Sequence, residues 1–188
     1  MPRTVINYEQ IFASVTCDSR YCRNLDWGRP RRGHPEGTIR AHIDELEQNL
    51  DRLRHRLSDE EVWKLRILIH VHDTFKPDAK PGVPIWNVQS HASIASRFLV
   101  ELCGQHEMAV IVQFHDEPYA LFRQHRSTGE FDQNRFQELL SQIEDWDLFV
   151  AFLIIDGCTR GKARDPLHWF LNQISGLVDS RWTISDLL

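Results

Sequence analysis

The sequence lacks an excess of positive charge: 22 lysines and arginines face 27 aspartates and glutamates, a formal net charge of -5. No global basic field of the kind that draws a protein onto nucleic acid is present. Long apolar runs are missing too. The longest, Leu148 to Ile155, falls far short of the roughly 20 residues of a membrane helix. The opening residues MPRTVINYEQ hold no signal-peptide core, so the expected location is the cytoplasm, with no membrane contact. The cysteines, Cys17, Cys22, Cys103 and Cys158, form no C-x-x-C pair. That excludes a zinc knuckle, gives no disulfide framework, and leaves them as reduced structural thiols.

Strand-like alternation and Asn-Gly hairpin turns are absent, which leaves an all-α fold class. No fixed-period repeat and no low-complexity tract occurs. A chain of 188 residues suits one domain with a real core and would cramp two. The expected organisation is a single domain over residues 1–188. Its core spans about 34–162, with a helix and a basic loop in 1–33 and a closing helix in 163–188 packed on the outside.

What is present is helical periodicity. Tyr8 to Val15 reads as a short helix, followed by the irregular segment YCRNLDWGRPRRG. Its Arg23, Arg29, Arg31 and Arg32 form either a solvated loop or an arm that steers phosphate. From Thr38, an N-cap, Ile39, Ile43, Leu46, Leu50, Leu53 and Leu57 recur at helical steps. Ser58 caps a second helix that is apolar nearly all round and leads to His72, Asp73 and Lys76. Residues 77–90, with three prolines and a glycine, form a loop. Ser90 caps a third helix ending near Gly104; Met108 to Phe114 forms another; residues 118–132 read as polar and irregular. Phe136 to Ile143, Trp146 to Ile155 and Leu167 to Val178 complete the set.

The sequence is rich in one residue type, with 10 histidines, and several stand where apolar helices begin or end. His42, His72 with Asp73, His91, His115 with Asp116, and Asp156 share this placement. An ionised Asp156 behind an unbroken apolar run costs several kcal/mol to bury unless it is paired or bound to a cation. Lys162 or Arg160 could pair with it; so could a metal. A lone histidine on an apolar face is more often a hydrogen-bonded core residue than a ligand. Several on helices that share one core weaken that reading. Imidazole and carboxylate donors suit divalent Mn, Fe, Co, Ni or Zn, and mixed sets of this kind leave positions for water and substrate. His70 lies about 200° around a helix from His72 and should face away. His55, His106, His125 and His168 receive no role.

The order His42, His72-Asp73, His91, His115, Asp156 resembles the HD superfamily of metal-dependent phosphohydrolases, whose signature is H…HD…D, with two intervening histidines in binuclear members. HDTFK looks like that family's H-D-x-x-K element. HPEGTIRAH is similar to the segment before the first ligand in the HD domain of bacterial CCA-adding enzymes. The resemblance spans roughly residues 34 to 162. It implies an all-α HD-domain bundle with a central metal site, in which His42, His72, Asp73 and Asp156 bind one divalent ion (Mg joining the metals above). If two ions bind, Asp73 bridges them and His91 and His115 hold the second. Between the two His-Asp dipeptides, 72–73 is preferred as the ligating pair because Lys76 follows it.

The expected activity is hydrolysis of a phosphoester on a nucleotide, a cyclic phosphate or an RNA terminus. Lys76, one helical turn beyond His72, would place its ammonium on the phosphate or leaving group. Arg40, Arg160 and Lys162 are weaker phosphate candidates. Glu36 could orient a water or a ribose hydroxyl, or cap a helix. His34 is either a substrate contact or an exposed, inert residue. Two other classes compete: a mixed-valence di-iron oxygenase of the same general fold, and a nucleotide-sensing module without turnover.

Overall fold

The computed structural model describes residues 6–188, and among these every regular element is helical. The order is α1 (Tyr8–Cys17), α2 (Ser19–Cys22), α3 (Ile39–Leu53), α4 (Asp59–Val71), α5 (His91–Cys103), α6 (His106–Phe114), α7 (Glu117–Thr128), α8 (Gln133–Gln142), α9 (Trp146–Gly157) and α10 (Asp165–Ile174). One contiguous cluster of buried side chains runs from Val15 to Trp182, with α4 and α9 at its centre.

Local chemistry accounts for the principal starts and stops. Thr38 caps α3 by accepting from the Ala41 amide, and Ser58 and Glu61 close a reciprocal capping box on α4. Helix α3 buries Ile39, His42, Ile43, Leu46, Asn49, Leu50 and Leu53, the single face its periodicity requires. Helix α9 buries every residue from Trp146 to Ile155 except Asp147, so Asp156 is delivered at the end of a rod with no freedom to rotate away. Gly104, at φ +64°, ends α5 in the left-handed conformation and turns the chain into α6, which packs back along it.

The segment before α3 is pinned to that helix. Ile39 and Arg40 donate their amides to the carbonyls of Trp27 and Leu25, at 3.0 and 2.9 Å. Gly28 (φ +118°) faces Gly37, and a β-carbon there would lie 2.3 Å from the Gly37 carbonyl oxygen. The close crossing therefore requires glycine and holds Trp27 and Glu36 at the head of α3.

The structure corrects the sequence expectations at five places. Residues 118–132 are not irregular: Glu117–Thr128 is α7, polar because only a narrow strip including Leu121 and Phe122 is buried. The closing helix packs Leu167, Phe170, Leu171 and Ile174 against the core but stops at Ile174, short of Val178, leaving Leu177 exposed beyond it. Lys76 does not ride on α4, which ends at Val71. His72 to Phe75 form turns, and Lys76 opens a tighter 3-10 turn because Pro77 disfavours an α conformation before it. The helix from Thr38 ends at Leu53, and residues 54–56 tighten into a 3-10 turn before Leu57. Tyr21 and Cys22, taken as irregular, belong to α2, where the Asp18 side chain accepts from the Arg20 amide.

Candidate metal centre

Five helix ends meet at one point. His42 comes from the first turns of α3, His72 and Asp73 follow α4, His91 opens α5, His115 follows α6, and Asp156 stands in the last turn of α9. Their donor atoms form two groups: His42, His72 and Asp156 in one, and Asp73, His91 and His115 in the other.

In the first group His42 Nε2 lies 3.1 Å from Asp156 Oδ1, and His72 Nε2 lies 3.9 Å from the same oxygen. In the second, His91 Nε2 and His115 Nε2 are 3.4 Å apart and stand 3.7 and 3.6 Å from Asp73 Oδ1. The other oxygen, Asp73 Oδ2, faces back to His72 at 3.5 Å and His42 at 4.0 Å. One carboxylate thus presents an oxygen to each group.

These separations suit shared coordination. Two donors bound at about 2.1 Å to one ion, at angles between square and tetrahedral, stand roughly 3.0 to 3.5 Å apart. The ring orientations suit it as well. His72 Nδ1 donates to the Ile69 carbonyl at 3.0 Å, His115 Nδ1 donates to the Val112 carbonyl at 2.6 Å, and His42 Nδ1 lies 3.0 Å from Glu36 Oε1. The two carbonyls hold Nδ1 of His72 and His115 as the protonated nitrogen and leave Nε2 as the free donor, the arrangement that metal-ligating histidines adopt. Of the buried side-chain polar atoms without a hydrogen-bond partner among the described residues, His72 Nε2 and Asp73 Oδ1 face into the centre, with His42 Nδ1 and Glu36 Oε2 beside them. Buried polar atoms are nearly always satisfied, so these atoms mark the centre as built for something besides its own side chains. The residues fit a divalent cation on all three counts.

Electrostatics make the same demand. Burial pushes Asp73 and Asp156 towards neutrality, yet Lys76 and His72 hold the first, and Lys162 and His42 the second, well below the usual carboxylate range. Burial lowers His42 and His115, but Asp156 and Glu36 push His42 up to about 9, and Asp116 with Asp73 push His115 up to about 9. His72, where burial wins, is driven down to about 3. Protons and two ammonium groups supply the positive charge that the carboxylates require, and a divalent cation would compete with those protons for the same Nε2 atoms.

The substrate candidates divide. Lys76 Nζ is bonded to Asp73 Oδ2, and Lys162 Nζ to Asp156 Oδ1 at 2.7 Å, so both ammonium groups sit on the centre's carboxylates. Glu36 is buried and joins His34 Nδ1, at 2.9 Å, to His42; its pKa, raised by burial, falls to about 2 under the bonds from His42, its own backbone and His34. His34 is therefore neither exposed nor idle. Arg40 is not at the centre: it points to the surface and pairs with Asp26 at 2.9 Å. Arg160 is exposed, with its backbone amide on Glu45. His70 faces away as expected, bonded to Tyr21 and near Glu47.

Trp27 escaped the sequence reading, Arg31 entered it only within the basic loop, and Asp116 was set aside as the second His-Asp dipeptide. Trp27, 45% exposed, and Arg31 line a cleft with His34, Thr38, Asp73 and Lys76. Asp116 stands 3.2 Å from His91 Nε2. No protein-family model, curated protein or solved structure matches this chain.

Proposed function

We propose that the protein is a metal-dependent phosphohydrolase acting on a nucleotide or a nucleic-acid-terminal phosphate. The observation that carries this reading is Asp73. Its two oxygens face two histidine groups while an ammonium, Lys76, is bonded to it, and both residues line a cleft. The H…HD…H…H…D order and the HPEG segment, similar to HD-type phosphohydrolases, support it.

Divalent ions bound at such a centre supply a water whose pKa is lowered to near neutrality and screen phosphoryl oxygens. The chain's own residues do the rest. Lys76 and Arg31, on the cleft walls, grip a phosphate, and Lys162 balances Asp156. Trp27 offers an aromatic face at the same mouth, the surface on which a base stacks. Glu36 holds the His42 ring, and the core behind it keeps His72 from turning.

The test is elemental analysis of the protein as purified, together with a panel of nucleoside monophosphates, 2',3'-cyclic nucleotides and simple aryl phosphates. Metal with cleavage of a nucleotide is the expected result. Trp27→Ala should raise KM for nucleotides several-fold and leave an aryl phosphate unaffected. Tightly held iron with oxygen uptake and no hydrolysis would favour the oxygenase class; metal without turnover would favour a sensor.

A further inference from the structure

The second histidine group, as it stands, has only a share of Asp73 for a carboxylate. We infer that Asp116 is its terminal carboxylate ligand, which makes the centre a pair of matching sites.

Three observations carry this. The first is position: Asp116 Oδ2 lies 3.2 Å from His91 Nε2 and its Oδ1 lies 3.7 Å from His115 Nε2, the same range that relates Asp156 to His42 and His72. The second is what the side chain does not do. Asp116 occupies the N-cap position of α7, where Pro118 removes one of the amides an aspartate would cap, and it makes no capping bond. Its carboxylate is turned to the imidazoles instead.

The third is a local repeat. His72 and His115 each cap the end of a helix, each donates Nδ1 to the carbonyl three residues back, and each is followed by an aspartate facing the centre. The two His-Asp dipeptides are the same device used twice. Asp73 serves from the first as the shared carboxylate, and Asp116 serves from the second as a terminal one.

Each half then offers two imidazoles, one terminal carboxylate and one oxygen of Asp73. Counting ligands alone, three carboxylates against two divalent ions leave a formal charge of +1 instead of +2. Matching donor sets predict that the two ions bind with similar affinity. The inference rests on the metal reading of the centre and not on which reaction it serves.

The test is Mn(II) stoichiometry after equilibrium dialysis, read by elemental analysis, with electron paramagnetic resonance reporting coupling between two ions. Wild type should hold two coupled ions. Asp116→Asn should hold one and bind a second at least about tenfold more weakly, the scale on which altered metal environments act. Asp116→Glu should recover the coupled signal, and circular dichroism of each variant establishes that the fold is kept. Two ions at wild-type affinity in Asp116→Asn would reduce Asp116 to an ion-pair partner of His91 and overturn the inference. So would a wild type that holds fewer than two. Two coupled ions with no phosphoester cleaved would defeat the proposed function and leave this assignment intact.

Discussion

At the residue scale, the centre turns on Asp73. One of its oxygens faces each histidine group, so Asp73→Asn should lose both metal equivalents and all activity. Elemental analysis after gel filtration checks this, and full metal occupancy would sink the site. Lys76 differs because it contacts a ligand from outside. Lys76→Ala should keep its metal while turnover falls on the order of 10²-fold, the typical loss when one preorganised charge-stabilising donor is removed. An unchanged rate would take Lys76 out of the mechanism. Arg40 could have been dismissed from sequence: two positions before His42, it lies about 200° around the helix, as His70 does from His72. Asp116 was passed over because the two dipeptides were weighed as rivals, and only the geometry shows them side by side.

At the element scale, α4 is the mount for His72 and Asp73, and its start is held by Ser58 and Glu61. The Ser58 backbone and hydroxyl and Arg181 outweigh burial and keep Glu61 below its ordinary pKa. A depressed folded pKa contributes stability above the unfolded value, and that contribution fades as pH falls through the folded one. Glu61→Ala should therefore cost about 1 kcal/mol near pH 7. The gap to wild type should narrow below about pH 4, read from urea melts across pH. A gap that stays constant with pH would assign the loss to packing. Helices α3 and α5 were legible because caps and apolar periodicity coincide there, and α4 and α9 because they are apolar nearly all round. Helix α7 was not, because a helix with one thin buried strip has the composition of a loop.

At the scale of the whole molecule, the ligands come from five helices distant in sequence, so an ion at the centre ties together most of the core. Anything that binds only the folded state stabilises it, by about 2.7 kcal/mol at a hundredfold excess over Kd. For a chain of this size each kcal/mol moves Tm by about 2–4 °C. Chelation should lower Tm by roughly 5 to 10 °C, and added Mn(II) should restore it; scanning calorimetry reads both. Asp73→Asn should show no response to either treatment. A wild-type Tm indifferent to chelator would argue against a metal that spans these elements.

The sequence by itself determined the all-helical class, the starts of the principal helices and the six residues first named as candidate ligands. Those follow from nearest-neighbour physics: caps, periodicity, and the cost of a carboxylate behind an apolar run. Tertiary structure alone decided that the six converge, that Asp73 faces both ways, that Arg40 and Arg160 lie outside, and that Trp27, Arg31 and Asp116 lie inside. Convergence is a property of how helices cross, set by core packing between residues far apart in the chain. A helix end carries no local record of which other ends it will meet.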